Sequence, residues 1–288
     1  MIRRTTSFAL IVAASIGLAG CAATTPASSG ADEEGVDDVS TPPPVETTIE
    51  DFDFGTTDWR FSSGGSDLPI DVSLVDGAST VDVFQYEVGD PVFGDADSDG
   101  RTDAIVPISR LDGNGSDTVW YLWYDSGDDD GVGIRQIEFP IAQQSRCGRF
   151  VESVTAADGG FVVHEFLRLT GTDDTVPCSE PGTGELTRTV ALHRSEDGTL
   201  WPVQTSPIPA YGGICPGSPW LDGPGEQLTL LSAPVDGAPV ATSADQQVGV
   251  FELYQSHITA IDGWGLVGFV QGEVDTGAVR LFCGWQKL

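Results

Sequence analysis

The sequence is short of positive charge. Thirteen lysines and arginines stand against 44 aspartates and glutamates, the formal net charge is −31, and the only lysine is Lys287. Binding to a phosphate backbone needs a basic stripe, so this balance argues against nucleic acid; it equally disfavours electrostatic docking on anionic lipid. Histidine is scarce too. His164, His193 and His257 are too few and too scattered for a zinc site, and His164-Glu165 has no second histidine four residues on. Gly-x-Ser-x-Gly, a phosphate-binding loop and Cys-x-x-Cys are all missing, so the motifs of a serine hydrolase, a nucleotide-binding enzyme and a thiol oxidoreductase find no support. Helix-forming stretches rich in Ala, Leu, Glu and Lys are missing after the N-terminus. The one apolar run near it, Phe8 to Leu18, is too short to span a bilayer comfortably.

What the chain does have is turn residues and a core. Hydrophobic residues make up 40%, enough to fill a real interior, and 36 glycines with 18 prolines punctuate them. Short apolar-alternating runs occur at Ile70–Leu74, Val81–Tyr86, Ala104–Ile108, Thr118–Tyr124, Gly133–Ile137, Gly160–Leu167 and Leu186–Leu192. Each is bounded by Gly, Asp, Asn or Pro, and Asp-Gly pairs at 76–77, 112–113, 158–159 and 197–198 suit hairpin turns. The expected class is mainly β: an antiparallel meander over 56–208, followed by a small β domain over 209–288. Within Trp120–Tyr124 one face is expected to be core; the other is either core or an aromatic platform for sugar.

The N-terminus carries an address. Arg3 and Arg4 precede the apolar run, which ends in Leu18-Ala19-Gly20-Cys21. This resembles the lipobox of bacterial lipoprotein signal peptides. The resemblance implies export, cleavage after residue 20, and a diacylglyceryl thioether on Cys21 that anchors the chain to the outer face of the cell membrane. Acyl chains supply the anchor where the peptide does not, at roughly 0.8 kcal/mol per buried methylene. Residues 21–55 are small, acidic and proline-rich, with prolines at 42–44, and read as a disordered tether. Four further cysteines, Cys147, Cys178, Cys215 and Cys283, suggest two disulfides in an exported chain, with three connectivities open. Pairing within each β region would join Cys147 to Cys178 and Cys215 to Cys283.

The stretch Gly94–Asp103 is the strongest candidate for chemistry. Asp95, Asp97, Asp99, Gly100 and Asp103 follow D-x-D-x-D-G-x-x-D, and alternate aspartates on a curved loop can converge on the six to eight hard oxygens calcium prefers. It is not an EF-hand, because Val106 stands where the bidentate glutamate belongs. With Phe93-Gly94 before it and Ala104-Ile105-Val106 after it, the run resembles the FG-GAP type of calcium loop. That resemblance implies ligation by the side chains of Asp95, Asp97, Asp99 and Asp103 and by the carbonyl of Arg101. The motif occurs once, which argues against a propeller. A metal-free loop closed by Asx turns is the alternative.

Residues 215–288 resemble a bacterial SH3-like domain through Ser232-Ala233-Pro234, Gly263-Trp264 with Leu266-Val267, and Gly284-Trp285. The arginine-bearing first strand of such domains is missing. The resemblance implies a small barrel whose groove binds peptides, often of the cell wall, with Trp264 and Trp285 as ligand-contact candidates. The expectation is a non-enzymatic envelope lipoprotein that binds a cell-wall peptide or an envelope protein, with structural calcium. The competing expectation is an envelope hydrolase whose acidic groups are hidden among the aspartates.

Overall fold

The computed structural model describes residues 48–63, 69–127, 133–169, 171–215, 226–227, 229–242, 247–248, 261–271 and 280–288. The signal segment, Cys21 and most of the stretch read as a tether lie outside them. Glu46–Leu288 form one compact unit.

The four Asp-Gly pairs set the hairpins. Asp76 and Gly77 both take positive φ (52° and 83°), the two-residue turn whose twist matches antiparallel strands. They join β1 (Asp58–Phe61) and its partner β2 (Ile70–Ser73) to β3 (Ala78–Val81) and β4 (Phe84–Val88). After β5 (Val92–Gly94), Gly113 turns β6 (Asp103–Asp112) into β7 (Gly115–Asp125), the longest hairpin among the described residues. With β8 (Ile134–Gln136) and β9 (Ala142–Ser145), strands β3 to β9 form a seven-stranded antiparallel sheet. A second, five-stranded sheet runs in sequence order through β10 (Phe150–Ala157), β11 (Gly160–Leu167), β12 (Gly184–Arg194), β13 (Leu200–Ser206) and β14 (Ala210–Tyr211). Gly159 and Gly198, again at positive φ, make its β10–β11 and β12–β13 turns. The mainly β, antiparallel class is therefore as expected.

The near-continuous apolar runs of β6 and β7 follow from burial on both faces. Ala104, Val106, Ile108, Val119, Tyr121 and Trp123 join one core with Trp59, Phe61 and Val72 of the β1–β2 hairpin. Ile105 and Leu122 point the other way, into a second core with Phe161, Val163, Val190 and Leu192 of the five-stranded sheet. The central sheet is thus the middle of three layers. Within Trp120–Tyr124 both faces are core: Tyr121 and Trp123 are buried on one side, and Trp120 and Tyr124 pack half-buried on the other. The Tyr121 hydroxyl accepts from the Ser62 amide at 2.7 Å and donates to the Ser62 carbonyl at 3.0 Å, fixing the hairpin to the sheet.

The fold starts earlier than residue 56. Ile49 is wholly buried and Phe54 nearly so, with the Phe54 ring 5.4 Å from Trp123, so the last residues read as tether belong to the first core. Their few apolar side chains, set among acidic neighbours, are what draws them in.

The C-terminal segment adds a small pair, β15 (Glu226–Gln227) with β18 (Gln247–Val248), and a four-stranded sheet ordered β17 (Val240–Thr242), β16 (Leu230–Leu231), β20 (Arg280–Lys287), β19 (Trp264–Gln271). The apolar run after Val248, residues 249–253, lies outside the described residues. The two Gly-Trp segments lie on paired strands, with Leu266 opposite Trp285. This sheet does not stand alone: Leu230, Ala241, Val267, Phe269 and Phe282 pack with Leu186 of β12 and Ala210 of β14. Cys147 and Cys178 lie at disulfide distance, as do Cys215 and Cys283, whose Cα atoms are 5.5 Å apart.

A buried charge cluster sits at the same junction. Glu165 (β11) is wholly inaccessible and accepts from Arg188 Nε (β12) at 2.8 Å, with Arg149 Nη1 3.6 Å away. Arg188 also donates to the Gly212 and Ile141 carbonyls, and Arg149 donates to the Cys215 carbonyl at 3.1 Å. The three charges thereby staple the five-stranded sheet to the start of the C-terminal segment.

Candidate functional site

The acidic run forms the connection between β5 and β6, where Gly94 pairs with Asp103. Its shape comes from its own side chains. Asp97 Oδ1 accepts the Asp99 amide at 3.2 Å, Asp99 Oδ1 accepts the Arg101 amide at 2.8 Å, and Asp95 Oδ2 accepts the Gly100 amide at 3.1 Å. Ser98 and Gly100 take positive φ, which lets the chain curl around the carboxylates. One oxygen from each of Asp95, Asp97 and Asp99 lies within 4.8 Å of the others, and Asp95 Oδ1 is buried with no hydrogen-bond partner. Three converging carboxylates, one carrying an unused buried oxygen, suit a hard divalent cation.

One of the expected side-chain ligands is placed differently. Asp103 is buried, and its Oδ2 accepts the Ala96 amide at 2.7 Å rather than joining the three. The Arg101 guanidinium pairs with Asp99 and donates through Nε to the Asp125 carbonyl at 3.1 Å. No motif in the sequence points to Arg194. From the end of β12 it reaches across to Asp97 Oδ2 at 2.6 Å and lies 3.9 Å from Asp99. Arg194 and Asp97 are 97 apart in sequence, and only the stacking of the two sheets brings them together. The loop therefore ties the turn end of the central sheet to the β12–β13 hairpin.

Burial pushes the Asp103 carboxyl up from its ordinary 3.8 to about 7, with Asp97, Asp99 and Asp95 adding repulsion and the Ala96 amide opposing. Since the folded carboxyl holds its proton more tightly than the unfolded one, its contribution to stability is fully present below about pH 4. That contribution is lost as pH rises to about 7. In EDTA, the Asp103→Asn variant, which keeps a neutral acceptor for Ala96, is expected to gain in Tm over the parent across that window. A Tm difference flat from about pH 4 to 8 would count against the assignment.

Trp264 and Trp285 have different surroundings. Trp285 is wholly buried against Tyr211, 5.4 Å between ring centroids, and presents no surface to a ligand. Trp264 is half-exposed, with Lys287 Nζ 5.7 Å above its ring. Among the described residues no helix is long and apolar enough to cross a membrane. No family model matches the chain, and neither the curated proteins nor the solved structures include a match.

Proposed function

We propose that the protein is an exported lipoprotein, held at the outer face of the cell membrane by acyl chains on Cys21. Its folded part would be a non-catalytic module that binds a cell-wall or protein ligand. The observation that carries this reading is Leu18-Ala19-Gly20-Cys21 in register behind Arg3, Arg4 and an apolar run. Two cysteine pairs at disulfide distance fit an oxidising compartment. The Asp95–Asp103 loop is read as a structural calcium site, with Asp95, Asp97 and Asp99 holding the ion. Bound calcium would supply charge neutralisation between the two sheets, where Arg194 and Arg101 now supply it. The SH3-like reading of residues 215–288 leaves Trp264 as the accessible ligand contact, since Trp285 is core.

The anchor is tested by feeding cells an alkyne fatty acid. Label is expected on the parent chain and none on Cys21→Ala, which should leave the membrane fraction. Unchanged labelling and fractionation of Cys21→Ala would overturn the anchor.

A further inference from the structure

A cleft of about 820 Å³ opens beside the acidic loop, between the turn ends of the two large sheets. Its volume lies within the range of small-molecule sites. One wall comes from the end of β7 and from β8, the other from the β12–β13 turn and the start of β13.

The floor is aromatic. Phe139 and Trp201 lie 5.4 Å apart between ring centroids and tilted by 36°, and both remain half-exposed, as does Tyr124. Such rings offer apolar faces with negative quadrupole density, which suit the weakly positive C–H faces of pyranose rings. Around them stand three donors, Arg101, Arg135 and Arg194, and three acceptors, Asp99, Glu138 and Asp197. The lining charge is balanced, in a chain whose overall charge is −31. An anionic ligand would meet no net positive potential here, and an apolar one would cover polar side chains without hydrogen-bonding to them. Hydroxyl groups both donate and accept, and so satisfy both sets.

Three of the polar groups are also held in place before any ligand arrives. Arg101 is fixed by Asp99 and the Asp125 carbonyl, Arg194 by Asp97, and Asp197 by Ser195 and the Thr199 amide. Pre-organisation of this kind lowers the ordering cost of binding. We infer that the cleft is a binding site for a neutral oligosaccharide, stacked on Trp201 and Phe139 and hydrogen-bonded by Arg135, Glu138 and Asp197. The site does not depend on lipidation, and the residues assigned to the sugar are not those assigned to calcium.

The test is calorimetric titration of the full chain with uncharged cello-, malto-, manno- and chito-oligosaccharides. Oligogalacturonate and a cell-wall stem peptide serve as comparators. At least one neutral sugar is expected to bind, and Trp201→Ala to weaken it at least tenfold. Trp201 also touches the packed interior, so Glu138→Gln, at an exposed position, provides a second reading with an expected loss of about threefold or more. Binding should persist in Cys21→Ala and in EDTA, which separates this inference from the anchor and the metal. Three results would overturn it: no neutral sugar bound, binding only of the acid or the peptide, or affinity unchanged in both cleft variants.

Discussion

Glu165→Gln is expected to destabilise the fold by about 3–5 kcal/mol, because it leaves Arg188 buried, and Arg149 part-buried, without their counter-charge. For a folded unit of this size that corresponds to a fall in Tm of roughly 10 °C. The cost lies in the unpaired cations, so replacing all three residues with apolar side chains of similar volume should recover most of it. The sign of the pH dependence also follows. Burial pushes the Glu165 carboxyl up, but Arg188 and Arg149 outweigh it and hold it below the usual carboxylate range. Its contribution is therefore present above the ordinary carboxylate pKa and is lost as pH falls through the depressed one. Chemical denaturation at neutral pH checks the magnitude. A Glu165→Gln variant within about 1 kcal/mol of the parent would mean that the cluster does not staple the junction.

Much of the architecture was legible because it is local. Alternation placed β2, β6, β7, β8, β11 and β12, and Asp-Gly pairs placed turns beside them, since a glycine at positive φ is a backbone requirement written in one residue. The run Val81–Tyr86, read as one strand, is instead broken at Asp82 (φ 55°) by the turn between β3 and β4. Strands β1, β3, β5, β9 and β10 carry weaker signals. Most are short or polar-faced, as in Ala142–Ser145; β5 and β9 owe their pairing to the long hairpin beside them, and β1, β3 and β10 to β2, β4 and β11. The three-layer arrangement could be foreseen only in part: the apolar run Ala104–Ile108 implies cover on both faces but does not say which segments provide it.

The candidate site divides in the same way. The curled loop and its Asx turns follow from spacing alone, whereas the Arg194–Asp97 pair and the cleft exist only because the β12–β13 turn stacks on the β5–β6 connection. No periodicity in the chain records that meeting. The burial of Trp285 was hidden for a related reason: Gly-Trp reads alike whether the ring faces a groove or, as here, Tyr211 and the Cys215–Cys283 pair.

Calcium should have the second large effect. An ion bound to the folded state alone, at about a thousand times its Kd, adds about 4.1 kcal/mol of stability. The same carboxylates now engage Arg194, whose guanidinium must yield Asp97 to the ion. Arg194→Ala therefore removes a competitor and is expected to tighten calcium binding by roughly two- to tenfold, the modest range of a half-exposed ion pair. Asp97→Ala should abolish it. On the calcium reading, the loop carboxylates would be neutralised by Arg194 and Arg101 without metal and by the ion with it.

Calorimetric titration of calcium into the full chain and its Arg194→Ala and Asp97→Ala variants tests this most directly. The expected result is saturable binding by the parent chain, tighter binding by Arg194→Ala and none by Asp97→Ala. No binding heat in any of the three, with a parent Tm unmoved by EDTA, would contradict the account.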